Sequence, residues 1–436
     1  MSTLDNTIIR SLFQSRFLLI ERVIRLVVGL VVTVYVTRYL GPNLFGMLSF
    51  SLVILSFAAF LNHFGFPEIL IREVTRKNDQ FMEIVTAAIS VRILGSLIFI
   101  FVMLLIIIFQ KSDTLILYII LISALSFVFT SFDSIQTIFY VNGDLKKISL
   151  ARLLGFAISN LVKLALVFIN ADLIFFAIPL ILEAVVTSTV LSLFLSRQKV
   201  GSLVYPKLTL AISLIKMSLP LGLSVLIINL QLRVDQLMLK AFLSYEEVGI
   251  YAISVRIVEL WYVIPTVIST SLLSNFVDLR IRDFDQYTRY LRLTMHTVFW
   301  MSVIFCTGCI LLSGTVIPII FGTQYARSAE VITVLCWCTI FASHGSIAAI
   351  WQIAEDKQKY RLIIQFISLI LNIILNIILI PKFGIFGAAY ATVISLLTIT
   401  WFLPFCFKET RPLAHMMIAS IFDFHYLIPH RLKNKE

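Results

Sequence analysis

The sequence predicts an all-α polytopic membrane protein. About twelve transmembrane helices form two six-helix lobes around a central cavity, with both termini cytoplasmic. Three observations carry this reading. Of the 436 residues, 59% are apolar and only 14% charged, against roughly 45–50% and 25% in soluble domains. Twelve apolar runs come near or exceed the ~20 residues that cross hydrocarbon. The basic residues alternate along the chain in step with those runs. Such a composition excludes a disordered chain, a secreted disulfide scaffold and a nucleic-acid-binding domain. The net charge of +11 is the surplus of Lys and Arg that cytoplasmic loops collect.

The chain opens on sixteen mostly polar residues carrying Arg10 and Arg16. Glu21, Arg22 and Arg25 interrupt the apolar stretch that follows, and no small-residue cleavage site succeeds it. This is read as a retained first span and not as a signal peptide. The first lobe places its spans at 17–37, 46–67, 84–108, 115–138, 150–169 and 173–195. The second places its spans at 217–241, 249–273, 294–319, 330–353, 361–380 and 387–407. Even-numbered connections are basic: Arg72, Arg76 and Lys77; Lys146, Lys147 and Arg152; Arg197, Lys199, Lys207 and Lys216. The later ones carry Arg280, Arg282, Arg289 and Arg292, then Lys357, Lys359 and Arg361. Odd-numbered connections hold only Arg38, Lys111, Lys240, Arg327 and Lys382. An error of one span would scramble this alternation, so the termini are assigned to the cytoplasm.

The longest internal connection, near 196–216, separates six spans from six. Leu40, Phe45, Gly46 and Ser51 after span one recur in spacing as Leu243, Val248, Gly249 and Ser254 after span seven. Duplicated bundles around a central site are a common transporter plan. The domains are therefore set at 1–205, 206–407 and a tail at 408–436. The tail at 413–428, broken by His415, Asp423 and His425, is read as an interfacial helix. The basic run at 430–435 suits anionic headgroups. Cys306, Cys309, Cys336, Cys338 and Cys406 all lie in or beside apolar runs. They are read as small hydrophobes and not as a metal or disulfide set.

Ionisable residues inside spans are the candidates for function, because placing one at mid-bilayer costs about 2.5–3.5 kcal/mol on insertion scales. The cations are Arg22, Arg25, Arg92, Lys163, Arg233 and Arg256; the acids are Glu21, Asp133, Glu183, Asp235 and Glu259. Arg22, Asp133 and Lys163 are near enough to a surface to snorkel. Arg25 and Arg92 lie about 12 Å inward from one side, and Arg233 and Arg256 about 10–12 Å from the other. Glu183 and Glu259 are nearest the midplane. Local ion pairs are the plainer explanation for Glu21 with Arg25 and for Arg256 with Glu259. Arg233 and Asp235 are two apart and cannot share a face, so at least one needs a partner on another helix. Six cations in two matching halves point to a cavity for an anionic substrate. Asn62, His63, His344, Asn372 and Asn376 are read first as interhelical glue. Pro179, Pro220, Pro265 and Pro318 are read as candidate bends.

The segment Thr37-Arg38-Tyr39-Leu40-Gly41-Pro42-Asn43-Leu44-Phe45-Gly46 resembles a signature of the polysaccharide biosynthesis family of Wzx-type lipid-linked oligosaccharide flippases. Arg233-Val234-Asp235, Val248-Gly249-Ile250-Tyr251, Phe321-Gly322 with Tyr325, and Gly384-Ile385-Phe386-Gly387-Ala388-Ala389 resemble further family motifs in order. The resemblance implies two lobes around a cationic cavity open alternately to each side. It also implies an undecaprenyl-pyrophosphate-linked glycan as substrate, such as an O-antigen repeat unit for lipopolysaccharide, in the bacterial inner membrane. Arg25, Arg92, Arg233 and Arg256, with Arg22 and Lys163, are then the expected pyrophosphate contacts. Proton or sodium binding at Asp235, Glu259 or Glu183 is the expected release step, without a cofactor or metal centre. A polysaccharide polymerase is a candidate partner. Two readings compete: a cation-coupled multidrug antiporter of the same superfamily, and a membrane polymerase or glycosyltransferase. The second would need a sizeable external loop carrying catalytic groups, and every external connection here is short.

Overall fold

The computed structural model describes residues 2–63, 65–76, 80–109, 113–197, 204 and 206–423, with the side chains at 2–15, 19 and 224 left aside. Lys77, Lys111, Lys199 and the tail from 424, with His425 and the basic run 430–435, lie outside the described residues. All regular elements among the described residues are helical, as hydrocarbon requires of a chain whose backbone groups must find partners within it. Ten segments are long and apolar enough to span, or eleven when the bent pair Thr323–Leu335 and Trp337–Ala354 counts as one. The first of the ten, Arg16–Arg76, is 61 residues long, about three bilayer cores if straight. It is broken at Gly41, where φ is 70°, between the first and second spans read from sequence.

The chain falls into two compact units, Met1–Asn229 and Leu230–Glu436. The first holds α1 (Ser2–His63), the amphipathic α2 (Phe66–Arg76), α3 (Phe81–Phe109) and α4 (Thr114–Thr130). A 3-10 turn at Ser131–Ile135 leads to the short α5 (Gln136–Val141), then α6 (Leu145–Phe168) and α7 (Ile178–Arg197). Span four is thus not one straight helix: Asp133 sits in the 3-10 turn, and the turn's Ser134 faces α3. The unit boundary falls inside α8 (Leu208–Phe242), beyond the connection that separates the lobes in sequence. The reason lies in packing. Ala211 and Leu214 of α8 are buried in one core with Phe66, Leu70, Ile84 and Phe139, and Lys207 pairs with Glu83 at 3.1 Å.

The second unit continues with α9 (Tyr245–Arg282) and α10 (Phe284–Phe321), 38 residues each. Both are longer than the apolar stretches at 249–273 and 294–319, because caps and polar turns extend them. Ser244 accepts from the Glu247 amide and Asp283 from the Gln286 amide, satisfying N-terminal donors. Next come α11 (Ala326–Leu335), α12 (Trp337–Ala354), α13 (Gln358–Phe383) and α14 (Ile385–Leu397). A π turn at Thr398–Phe402 precedes α15 (Leu403–Cys406) and α16 (Arg411–Ile421). Pro220, Pro265 and Pro318 lie inside continuous helices. The sharper breaks fall instead at Gly41, at Ser131–Ile135, and at the 46° bend between α11 and α12. In the tail helix α16, Leu413 and Met417 are buried in a core with Tyr287, Leu291 and Trp351. Arg292 donates to both Asp423 oxygens at 2.6 and 2.7 Å, fixing its end to α10.

Gly65 joins α1 to α2 with φ of 70°, and a Cβ there would stand 2.8 Å from the Gly222 nitrogen and 2.9 Å from Leu221 Cβ. Positive φ and backbone contact both demand glycine. Gly65→Ala is therefore expected to destabilise the protein by about 1–3 kcal/mol. The check is a lowered thermal unfolding midpoint in detergent, against an unchanged midpoint for Gly308→Ala, whose Cβ would meet nothing within 4 Å.

Candidate functional site

In the first unit, four helical elements bring charges together. Arg25 of α1 donates to Glu183 of α7 at 2.7 Å. Its Nε is 3.8 Å from Glu21, one turn back on α1. The guanidinium lies over the Phe156 ring at 4.7 Å from the centroid. Arg152 of α6 donates to Gln136 at 2.6 Å and stands 3.9 Å from the other Glu21 oxygen. The i,i+4 pair expected from sequence is present, but the shorter contact of Arg25 is the one across to α7. Gly155 lets α6 approach α7 beside this pair: a Cβ there would overlap Thr187 Oγ1 and the Glu183 carbonyl. Arg25 and Glu183 remain 35% and 27% exposed, so the pair is only partly buried.

Arg92 lies elsewhere, 2% exposed inside the first unit. Its two terminal nitrogens donate to Ser134 Oγ at 3.0 Å and Asn62 Oδ1 at 2.9 Å. The Asn62 amide in turn donates to Ser96, Ser131 and the Phe127 carbonyl. Asn62 is thus the hub that ties α1, α3 and α4 around a buried guanidinium. Arg22 is exposed on α1, and Lys163 is half-buried on α6.

In the second unit, Arg233 of α8 pairs with Glu259 of α9 at 3.0 Å, with 31% and 22% exposure. This corrects the local pairing expected within α9: Arg256 is exposed and Glu259 turns to α8 instead. Arg256 makes no hydrogen bond or ion pair among the described residues. Asp235, two residues from Arg233, faces the interior at 3% exposure. It accepts from Tyr251 at 3.0 Å, from Asn376 at 2.7 Å and from Thr392. Asn376 also donates to the Asn372 carbonyl and side-chain oxygen, both at 3.0 Å, while its own Oδ1 is buried and unpartnered. The carboxylate is held by neutral donors from α9, α13 and α14, and its surroundings are rich in oxygen.

Each of the two clusters therefore holds an accessible arginine-glutamate pair, and the sequence-derived candidates divide among different environments. Arg25 with Glu183, and Arg233 with Glu259, are brought together. Arg92 and Asp235 are interior. Arg22 and Arg256 are exposed. Gln136 is missing from the sequence reading, and Arg152 is read there only as a loop cation, since nothing distinguishes it from Lys146 and Lys147 before it. Thr392 is likewise missing, while Tyr251 is carried by the segment Val248-Gly249-Ile250-Tyr251.

The polysaccharide biosynthesis protein family matches residues 35–330, more than half of the chain, and the chain belongs to that family. Its fold is that of lipid flippases and multidrug exporters. A solved lipid II flippase, MurJ, in an inward closed conformation superposes with a TM-score of 0.70 at 16% identity, covering 95% of each chain. An inward-facing multidrug resistance MATE family transporter of the MOP superfamily gives 0.67 at 13% identity, covering 91% of this chain and 95% of that one. Among curated proteins, a probable flippase AglR of Haloferax volcanii is 28% identical over 261 residues, 57% of this chain. The match spans about half of that relative's length, 52%. An uncharacterized membrane protein of Methanocaldococcus jannaschii is 29% identical over 154 residues, 34% of this chain and 27% of its own.

Asn62→Leu strips Arg92 of an acceptor in a buried setting and is expected to cost about 3–5 kcal/mol. The double variant Asn62→Leu with Arg92→Met removes the stranded charge and should recover part of that loss, read as non-additive shifts in the unfolding midpoint. Gly155→Leu should part α6 from α7, lengthen the Arg25–Glu183 contact and lower activity, measured alongside folded yield.

Proposed function

We propose that this protein is a flippase that moves an undecaprenyl-pyrophosphate-linked oligosaccharide across the bacterial cytoplasmic membrane. The cargo is the repeat unit of O-antigen or a similar surface polysaccharide. It passes from the cytoplasmic to the external leaflet by alternating access, with both termini in the cytoplasm. Family membership, the relative named a probable flippase and the fold shared with a lipid II flippase support this reading. The observation that carries it is the half-exposed ion pair in each unit, Arg25–Glu183 at 2.7 Å and Arg233–Glu259 at 3.0 Å. A guanidinium recognises phosphate through paired, parallel donors, and an arriving pyrophosphate would compete with the glutamate for each arginine. Arg25 is the group the first unit offers to an anionic headgroup, and Arg233 with exposed Arg256 are those the second offers, while the polyprenyl tail stays in lipid. Arg92 organises the first unit from within.

Release requires a competing event, and Asp235 is the best placed of the three expected acids. Glu183 and Glu259 already have arginine partners, so uptake of a cation there would strand a guanidinium. Asp235 has only neutral donors and lies among oxygens of Asn372, Asn376 and Thr392. A proton or a sodium ion bound there would neutralise a buried carboxylate at no cost to an ion pair. The flipped unit then passes to a polysaccharide polymerase outside.

Depleting the protein in its native cell should accumulate complete lipid-pyrophosphate-linked repeat units on the cytoplasmic side, read by mass spectrometry with leaflet accessibility in spheroplasts. Normal levels and distribution, with no redundant flippase, would reject the proposal and favour drug export, which efflux of cationic dyes measures directly. Arg25→Ala and Arg233→Ala should each lower flipping about tenfold or more in liposomes, the scale of one lost charge-assisted contact of about 1.5–3 kcal/mol. The corresponding Lys variants should restore only part of it. Asp235→Asn should remove the dependence on a proton or sodium gradient while the protein remains folded; a gradient dependence that survives would refute the coupling role.

A further inference from the structure

The second unit contains a cluster of thiols used by neither arginine pair. All five cysteines are free. Cys306 of α10 and Cys336, between α11 and α12, approach to 3.1 Å sulfur to sulfur. Both are buried, in one core with Phe299 and Ile340. Cys309 lies one turn further along α10 and is only partly buried. Cys336 occupies the junction where α11 and α12 bend by 46°. The two sulfurs stand about 1 Å beyond the ~2.05 Å of a disulfide bond, on separate helices and far apart in sequence.

We infer that Cys306 and Cys336 form a modification site: a dithiol that an organic hydroperoxide dissolved in the surrounding lipid oxidises to a disulfide. The reaction closes without another reagent. One thiol sulfur attacks the peroxide, the O–O bond breaks, and a sulfenic acid and an alcohol form. The second thiol sulfur attacks the sulfenic sulfur, the S–S bond forms, and water leaves with the remaining proton. Two thiols are thereby oxidised by two electrons and the hydroperoxide is reduced to alcohol and water. The sulfurs lie among apolar side chains, so the oxidant is one that partitions into an apolar phase. The product ties α10 to the bend between α11 and α12.

The test uses the full-length protein in liposomes treated with cumene hydroperoxide, followed by denaturation in an alkylating reagent and peptide mapping. The expected result is a fall from five alkylatable thiols to three, a mapped Cys306–Cys336 link, and recovery of all five on reduction. Cys306→Ser and Cys336→Ser should each abolish the link, while Cys309→Ser should retain it. Five thiols remaining after treatment would overturn the inference. So would a link mapped to Cys309 or Cys338, or oxidation to sulfinic acids without a link.

Discussion

Hydrocarbon supplies no hydrogen bonds and little dielectric, and this single constraint organises the molecule. It requires helices, since every backbone donor and acceptor must be satisfied within the chain. It also makes an ionisable group in the apolar layer costly unless a partner or water accompanies it. Polar side chains here accordingly occur in assemblies. Asn62 serves α3, α4 and a guanidinium at once. Trp261 donates to Ser302 and Ser343 across two further helices. His344 accepts from Trp401 and makes its other contact with the Met295 carbonyl.

Each unit also buries a charge held by neutral partners alone, of opposite sign in the two. In the first, a cation, Arg92, is buried among neutral oxygens; in the second, an anion, Asp235, is buried among neutral donors. Neither has a formal counter-ion within ion-pair distance among the described residues. The accessible charges differ: Arg25 and Arg233 each carry a glutamate on a neighbouring helix. Interior charges so held give a lobe a fixed internal geometry. The partly exposed pairs are held across helices and not by a shell of interior donors.

Much of the architecture is legible in the sequence because hydropathy acts over whole spans. The apolar runs recover the membrane-crossing helices, and the break at Gly41 falls between the first two of them. What hydropathy misses is set by single side chains and by caps. The extensions of α9 and α10 depend on Ser244 and Asp283, the 3-10 turn holding Asp133 interrupts an apolar run, and the bend near Cys336 is marked by no proline. Partner choice is also invisible to spacing. Glu259 lies three residues from Arg256, an ordinary helical pairing distance, yet turns to Arg233 on α8. Arg152 reads as one more loop cation until α6 is seen to carry it toward Glu21. The interior placement of Asp235 follows from its being two residues from Arg233, since a helix turns such neighbours to different sides.

The paired helices α9 and α10 are each 38 residues long, about 57 Å, against a hydrocarbon core of about 30 Å. Their shared end, turned at Asp283, is braced by Arg280 against Glu355 and by Tyr287 packed with Trp351 and Leu413. A stiff hairpin of this length is a lever. A tilt of 10° at one end of a rod ~25 Å long sweeps the other end through about 4 Å. Because that end is braced, such a tilt carries the ends of α12 and α16 along with Ile281 and Phe284.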